Sequence, residues 1–421
     1  MKIQSRIPTA VAAVLLVTAG PTTAQEPRRV TLDEALALFA RDNLELRLAR
    51  AEAAEATALA EQAAAYPNPT VSGTRESLSD AGRGYSESYL DLSQRLEWPP
   101  TRSARRDAAE QAAAAARARL GADSARLAFE VKRAYTEAVR AERAERVLAR
   151  IVEVFREGAR SAQERYGDGD VSLYELRRIR HERARYATRD AEAGLDAAEV
   201  RRRLATLVAP ADAALELAPA DALAGPPPAV TAEDAAATAL ARRGEVAAAE
   251  AGLQAALARA SVARAERTPD VTATAGYKRQ SDGFGGAFLG LSLPVPLWDR
   301  RGGAVEAARA RVAAAESRLA LARRQVENDV RRALDAYRSL ARRAELFEAS
   351  LAEDATDLLE VAQVAYDEGE MELIELLDAA EALLEARLAE ARLRAEFWTR
   401  YYDLERAVGG FDGSADGRED R

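Results

Sequence analysis

The sequence contains an internal duplication, in which landmarks of the first half recur 200 positions later. The segment Val-Thr-Leu-Asp-Glu-Ala at 30–35 returns as Val-Thr-Ala-Glu-Asp-Ala at 230–235, and Trp98 returns as Trp298. Further matches are Pro69 with Pro269, Tyr166 with Tyr366, Gly169 with Gly369, and Leu204 with Leu404. Agreement at so many separated points indicates a repeat architecture. We therefore predict two repeats, 30–208 and 230–408, joined by an Ala/Pro-rich linker at 209–229, with a disordered tail at 409–421.

Each repeat shows the same order of predicted elements. A helix at 32–65 ends before Pro67 and Pro69, because proline interrupts the helical hydrogen bonds. Two amphipathic strands follow, in which Leu90 and Leu92 alternate with polar residues, as Leu289 and Leu291 do in the second copy. Very long helices are expected at 102–166 and 305–366, and each ends at a glycine turn before a helix returns at 171–208 or 371–408.

The predicted helix lengths indicate how the helices pack. A 65-residue helix spans about 100 Å, whereas a returning helix of 38 residues covers about 57 Å. We therefore expect a returning helix and a leading helix to stack end to end along one long helix. The returning helix of the second repeat carries apolar residues at coiled-coil spacing, namely Leu373, Leu377, Ala380, Leu384, Leu388 and Ala391.

The composition excludes several classes of function. The 421 residues include no Cys and one His, which argues against disulfides and against thiolate or imidazole metal sites. The net charge of -9 disfavours a nucleic-acid partner. His181 lies among arginines and is expected at the surface. Since the sequence has no nucleophile–base, phosphate-loop or dinucleotide motif, we predict no enzymatic activity, no cofactor and no metal site.

The N-terminus predicts the compartment. Lys2 and Arg6 precede an apolar run, and Thr22-Thr23-Ala24 ends in a small-residue cleavage pattern. This pattern is typical of a secretory signal peptide, which we place at 1–24, leaving a mature chain of 25–421. The apolar run is shorter than the roughly 20 residues that a spanning helix needs.

Taken in this order, the motifs resemble those of the TolC family of outer-membrane efflux channels. The resemblance rests on Val-Thr-Leu-Asp-Glu-Ala-Leu at 30–36, Tyr-Pro-Asn-Pro at 66–69, Leu-Ser-Gln-Arg-Leu-Glu at 92–97, and the two tips around Gly169 and Gly369. The segments at 66–69 and 92–97 look most like the branch that serves heavy-metal cation pumps, the CzcC/CusC-like proteins. The resemblance covers about 30–408.

The resemblance implies a mainly helical protomer with a small transmembrane β part. Three protomers would form a homotrimer, with a 12-stranded β-barrel in the outer membrane and a periplasmic α-barrel built from the long helical hairpins. It further implies a passive exit duct of a tripartite efflux system, for heavy-metal cations or drugs. The implied partners are a periplasmic adaptor, an inner-membrane pump of the RND type and outer-membrane lipid. Four short strands cannot close a barrel alone, so a membrane-embedded chain has to oligomerise.

The resemblance also assigns roles to residues. The tips that contact the adaptor are Gly169, Asp170, Val171, Gly369, Glu370 and Met371. Carboxylates at the periplasmic gate match Glu175, Glu375 and Asp378, and threefold symmetry would multiply each into a ring that attracts cations. The lipid-facing strand residues are Leu90, Leu92, Leu289, Leu291 and Leu293. Met371 stands where some relatives carry an arginine, so a gate lock that needs this arginine is not expected.

The charges of the two tips are opposite. Residues 344–386 contain no Lys or Arg, whereas 160–189 contain eight arginines against five acidic residues. We therefore expect the second hairpin to line the pore, and ion pairs to join it to the first. The alternative to a channel is a soluble periplasmic helical adaptor or scaffold. A cytosolic coiled-coil scaffold would explain the helices but neither the signal peptide nor the two pairs of amphipathic strands.

Overall fold

The computed structural model describes residues 27–80, 83–208, 216–221, 234–346 and 350–410. The predicted signal peptide, most of the linker and the tail beyond 410 lie outside the described residues. Within the described residues, no helix combines the length and the apolar character needed to cross a membrane.

The two repeats contain matching helices and strands. The first repeat comprises β1 Arg28–Val30, α1 Leu32–Asp42, α2 Leu44–Ala64, β2 Thr70–Asp80, β3 Arg83–Leu96, α3 Pro99–Asp168 and α4 Leu173–Val208. The second comprises α5 Ala235–Arg242, α6 Gly244–Ala265, β5 Val271–Gln280, β6 Gly285–Ser292, α7 Gly302–Leu346, α8 Ser350–Glu368 and α9 Leu373–Val408. The predicted helix 305–366 corresponds to α7 and α8, and residues 347–349 between them lie outside the description.

The longest element is α3, whose 70 residues span about 105 Å. Pro99 and Pro100 occupy its first turn, where proline costs no hydrogen bond, and no proline follows before its end. The helix ends at Gly169, which has a φ of 90° and occupies the left-handed region that glycine tolerates. Gly369 ends α8 in the same way, with a φ of 80°. Both predicted glycine turns are confirmed.

The leading helix of each repeat is broken, so the prediction of one continuous helix over 32–65 was wrong. The break lies at Asn43, whose extended backbone has a ψ of 127°. Its side-chain oxygen caps α2 by accepting from the Leu46 backbone N–H at 2.8 Å. Its side-chain nitrogen donates to the Leu207 carbonyl at 2.7 Å, near the end of α4. The broken helix therefore holds the end of the returning helix, and α2 and α4 stack along α3 as expected.

The four longer strands form one antiparallel sheet in the order β2-β3-β5-β6. Its central junction joins the repeats, with Leu92 of β3 opposite Ala275 of β5. β2 and β6 are its two edges. The described part of the chain also holds a pair that the sequence did not reveal, because β4 Leu217–Pro219, inside the predicted linker, pairs in parallel with β1.

Among the described residues, many of the buried apolar side chains form three clusters along the helices. One lies near the tips, where α3, α4, α8 and α9 meet around Phe155 and Tyr366. The other two lie at the helix breaks, around Tyr135 in the first repeat and Tyr337 in the second. In the predicted seam of α9, Leu388 packs partly buried against the first cluster, and five residues are buried, namely Leu373, Leu377, Ala380, Leu384 and Ala391.

Candidate functional site: the hairpin tips and the strand sheet

The two hairpin tips lie next to each other. Arg165, near the end of α3, donates to the Tyr366 carbonyl at 2.9 Å. The Tyr366 hydroxyl donates to Glu175 of α4 at 3.4 Å, and Gln363 donates to Glu157 at 2.5 Å. Burial raises the pKa of the Tyr366 phenol well above its usual range. Hydrogen bonds therefore join the first hairpin to the second at the tips.

The residues predicted to contact an adaptor divide by burial. Val171 is buried, and Met371 packs half-buried against the tip cluster. The remaining four are exposed, namely Gly169, Asp170, Gly369 and Glu370. A side chain at position 369 would also be crowded, because a Cβ atom there would lie 3.2 Å from the Arg165 guanidinium. The tips thus present backbone and short acidic side chains to solvent.

The three predicted gate carboxylates have different environments. Glu175 is half-buried beside Tyr366. Glu375 is exposed and accepts from the Glu372 backbone N–H at 3.0 Å, which completes a capping box at the start of α9. Asp378 is exposed one turn later. Glu375 and Asp378 share a face of α9, whereas Glu175 lies on the neighbouring hairpin.

An acidic stripe continues along α9 beyond these two residues. Glu381 and Glu385 are also exposed, and the spacing of three, three and four residues from Glu375 places all four carboxylates on one helix face. The opposite face is buried, with Leu376, Ala380 and Leu383 in the tip cluster. The stripe therefore faces solvent over about two to three helical turns.

The described ion pairs between the hairpins lie away from the tips, which differs from the expectation. Glu390 of α9 is buried and pairs with Arg143 of α3 at 3.0 Å. Lys132 of α3 pairs with Glu405 at 2.5 Å. Near the first tip, the described partners of the arginines include Gln163 for Arg180 and Glu182, on the same helix, for Arg185. Among the described residues, hydrogen bonds rather than charge pairs hold the tips together.

The sheet has one apolar and one polar face. The register places Leu92 opposite Val71 on one side and Ala275 on the other, and Ala275 opposite Leu289. The five predicted lipid-facing leucines are all exposed, with Leu289 at 88% and Leu291 at 80%. Leu90, Leu92, Leu289 and Leu291 share the apolar face, and Leu293 follows the end of β6. This large exposed apolar surface is typical of contact with lipid or with another protein.

The polar face carries a hydrogen-bonded cluster that the sequence did not predict. Glu87 of β3 accepts from Lys278 at 2.9 Å and from Gln280 at 2.6 Å, both on β5. The hydroxyls of Tyr85 and Tyr89 also donate to Glu87. The cluster links the strands of the two repeats. Its only sequence signal is the even spacing of Tyr85, Glu87 and Tyr89, which places them on one face.

The described residues contain no group of three or more His, Asp or Glu side chains arranged to hold a metal ion. The acidic stripe is a line of separate carboxylates along a helix. Such a surface attracts cations electrostatically without enclosing one.

Comparison with known proteins finds similar sequences and similar structures. A family model described as outer membrane efflux protein matches residues 235–410, which is the second repeat. CzcC of Cupriavidus metallidurans, a cobalt-zinc-cadmium resistance protein, is 23% identical over 381 residues, 90% of each chain. The outer membrane channel CmeC of Campylobacter jejuni superposes with a TM-score of 0.73 at 18% identity, covering 98% of this chain and 96% of that one. CusC superposes with a TM-score of 0.72 at 18% identity, covering 96% of this chain and 99% of that one.

These likenesses extend over both repeats and include the strand sheet and the helical hairpins. They favour the channel over the soluble adaptor or scaffold. The protein is an outer-membrane efflux channel with a periplasmic helical part, and it is not an enzyme. The second repeat thus matches the outer membrane efflux protein family, and the whole chain has the fold of outer-membrane efflux channels.

Proposed function

We propose that three copies of this chain form a continuous exit duct, with twelve strands in the outer membrane and the helices in the periplasm. The observation that carries the proposal is the open sheet. β2 and β6 are edge strands on a sheet with an exposed apolar face. In lipid, unpaired backbone groups cost several kcal/mol each, so the edges need partner strands. Neighbouring copies supply them.

The hairpin tips form the periplasmic entrance and contact a periplasmic adaptor. The exposed Gly169, Asp170, Gly369 and Glu370 support this role, with Val171 and Met371 packed behind them. The duct itself has no energy source, so an inner-membrane pump of the RND type drives export through the adaptor. The hydrogen bonds from Arg165 and Tyr366 hold the two hairpins together while the entrance is closed.

The acidic stripe of α9 lines the entrance and selects for cations. Threefold symmetry turns Asp378 into a ring of three carboxylates, and Glu375 into a second ring one turn away. Asp378 contributes more, because Glu375 is engaged in capping α9. Glu175 contributes least, since it is half-buried beside Tyr366.

Heavy-metal cations are the proposed cargo. The relative CzcC is described as a cobalt-zinc-cadmium resistance protein. The rings of carboxylates concentrate hydrated divalent cations, and the spaced arrangement releases them again, which a duct requires. Selection among cations then belongs to the pump.

The test is single-channel conductance in planar bilayers. The wild-type channel is expected to prefer cations, and Asp378→Ala is expected to reduce the cation-to-anion permeability ratio several-fold. Glu375→Ala is expected to reduce it less. Glu316→Ala removes the same charge from an exposed position on α7, far from the tips, and is the matched control. Anion selectivity of the wild type, or an unchanged ratio in Asp378→Ala, would contradict the ring.

A further inference from the structure

A groove with a basic rim lies where three helices, α3, α6 and α7, run side by side. It contains a cavity of about 340 Å³, which is within the usual range for sites that hold small organic molecules. The floor consists of small residues, among them Gly252 and the buried Ala255. Four arginines line the rim, and we call the site the arginine groove: Arg119 of α3, Arg259 of α6, and Arg311 and Arg318 of α7.

The four rim arginines are exposed and lack carboxylate partners, although other arginines nearby have them. Arg309 of α7 pairs with Glu306 at 2.6 Å, and Arg323 of the same helix pairs with Glu250 of α6 at 2.8 Å. Within the described residues, no ion pair joins any of the four to an acidic side chain. The arginine groove therefore gathers four positive charges around one cavity without a paired negative charge.

The equivalent groove of the first repeat, between α2 and α3, does contain carboxylates. Two glutamates of α2 line it together with Arg119. Three of its positions differ in charge from those found 200 positions later on α6, namely Glu52 from Gly252, Glu55 from Ala255, and Leu59 from Arg259. At matching positions, the second groove thus has two carboxylates fewer and one arginine more than the first. The basic character is specific to the arginine groove and does not come from the repeat itself.

The arginine groove lies on the same side of the molecule as the polar face of the sheet. Arg105, in the second turn of α3, pairs with Glu97 at 2.7 Å. Glu97 continues the alternation of β3 that places Glu87 on the polar face. Arg105 and Arg119 are nearly four whole turns apart and therefore share a face of α3. In the proposed duct this side faces the lumen, and the groove lies about 20–30 Å along α3 from Pro99.

We propose that the arginine groove binds a drug-sized organic anion, whose apolar body lies on the floor and whose acidic group pairs with the rim. Guanidinium groups bind carboxylates, sulfonates and phosphates through paired N–H donors. The floor offers apolar surface to the rest of the molecule, which a small inorganic anion cannot use. Exposed ion pairs are weak, so the anion leaves as readily as it binds. This site goes beyond the proposed function, because one chain supplies all of its lining.

The arginine groove acts independently of the proposed cation rings at the tips. Arg119 lies about 75 Å from Gly169 along α3. Salt screens charges beyond a Debye length of about 8 Å at physiological ionic strength, so the two sites do not cancel each other. The duct thus has a site for organic anions in addition to an entrance that attracts cations.

The experiment is titration calorimetry of the full chain in lipid nanodiscs, with the heat from empty nanodiscs subtracted. The probe is naphthalene-1-sulfonate, which joins an apolar body to one anionic group. We expect one molecule to bind per chain, about tenfold more tightly than either of two reference ions. Inorganic sulfate has the negative charge without the apolar body, and 1-naphthylmethylammonium has the apolar body with a positive charge.

Two variants separate the rim from the floor. Arg119→Gln/Arg259→Gln removes two charges from the rim and should weaken binding of the probe about tenfold. Gly252→Leu keeps all four arginines and fills the cavity, and it should weaken binding by a similar factor. A Cβ atom at Gly252 would meet no atom within 4 Å, so the helix accommodates the new side chain. The matched control, Arg117→Gln/Arg264→Gln, removes two charges from exposed positions of the same helices outside the groove and should bind as wild type does.

Three results would overturn the inference. Equal weakening by the two double variants would mean that net charge, and not the groove, attracts the probe. Sulfate that binds as tightly as naphthalene-1-sulfonate, or a Gly252→Leu protein that binds like wild type, would remove the role of the floor. Thermal transitions followed by circular dichroism verify that each variant is folded. The mass of the protein in detergent tests the proposed trimer separately, because a site within one chain also binds the probe in a monomer.

Discussion

At the scale of single residues, two different side chains perform the same task at the breaks of the leading helices. Asn43 donates to the Leu207 carbonyl at 2.7 Å. In the second repeat, Arg243 donates to the Ala407 carbonyl at 3.4 Å, and this donor and this acceptor each lie 200 positions after their counterparts in the first repeat. Both side chains are 4% exposed. Each satisfies a carbonyl at the end of a returning helix, where the last four carbonyls have no partner within the helix.

Asn43→Ala is expected to destabilise the protein by about 2 kcal/mol. The substitution removes a helix cap and leaves a buried carbonyl without its donor. The thermal transition of the detergent-solubilised protein, followed by circular dichroism, should fall by several degrees. Gln62→Ala, at an exposed position of the same helix, is the control and should leave the transition unchanged.

Glu142 is expected to make stability depend on pH. Its carboxyl is buried, and desolvation raises its pKa above the ordinary value of 4.5, although Arg29 and Arg201 lower it in part. A raised pKa in the folded state favours the protonated form, so this group stabilises the fold at low pH and loses that contribution as pH rises.

Glu142→Gln should therefore raise the thermal transition at pH 7, and the gain should shrink as pH falls below 4.5. Glu164→Gln, at an exposed position on the same helix, should have no effect at either pH. A Glu142→Gln protein that is less stable than wild type at pH 7 would show that attraction to Arg201, 3.9 Å away, dominates.

At the scale of elements, the two faces of the strand sheet differ, with an apolar face on the proposed lipid side and a polar face opposite. Leu291 of β6 lies on the apolar face, opposite Ala273 of β5, and Thr274 lies on the other face. Leu291→Arg places a charge on the proposed lipid side, which costs about 2–4 kcal/mol near the membrane midplane. We expect much less trimer in outer membranes, measured on a denaturing gel as the band that shifts to the monomer position only after the sample is heated. Thr274→Arg adds the same charge to the opposite face and should retain most of the trimer.

The sequence predicted those elements whose signal is local. The ends of α3 follow from prolines and a glycine, and the strand faces follow from alternation of leucines with polar residues. The breaks at Asn43 and Arg243 could not be predicted in this way, because the bond that stabilises the first one joins residues 164 positions apart. β4 was missed because three residues carry too short a pattern.

For the candidate site, too, the features with a local sequence signal could be predicted and the contacts between distant residues could not. The glycines of the tips and the acidic residues of α9 are visible in the sequence. The hydrogen bonds of Arg165 and Tyr366 are not, because they depend on how the two hairpins approach each other. Ion pairs at the tips were expected because the two hairpins carry opposite net charges. Opposite net charge does not imply direct contact, since many exposed charged side chains remain solvated.

At the scale of the whole molecule, we expect the proposed entrance to open when the two hairpins of a protomer move apart at the tips. Arg165→Gln removes the charge of the guanidinium that bridges to the Tyr366 carbonyl. We expect higher mean conductance and more frequent open events in planar bilayers. Arg177→Gln removes the same charge from an exposed position on α4 and serves as the control. Equal conductance of the two variants would mean that this bridge does not restrain the entrance.

The order of strands in the sheet also sets the order in which the chain can fold. β3 has its inner neighbour in the second repeat, and the paired residues Arg95 and Asp270 lie 175 positions apart. The first hairpin therefore keeps an unpaired inner edge until the second hairpin pairs with it. Pairing over such a distance is intrinsically slow. An exposed strand edge of this kind is prone to pair with other chains, so we expect the isolated first hairpin to aggregate where the full sheet does not.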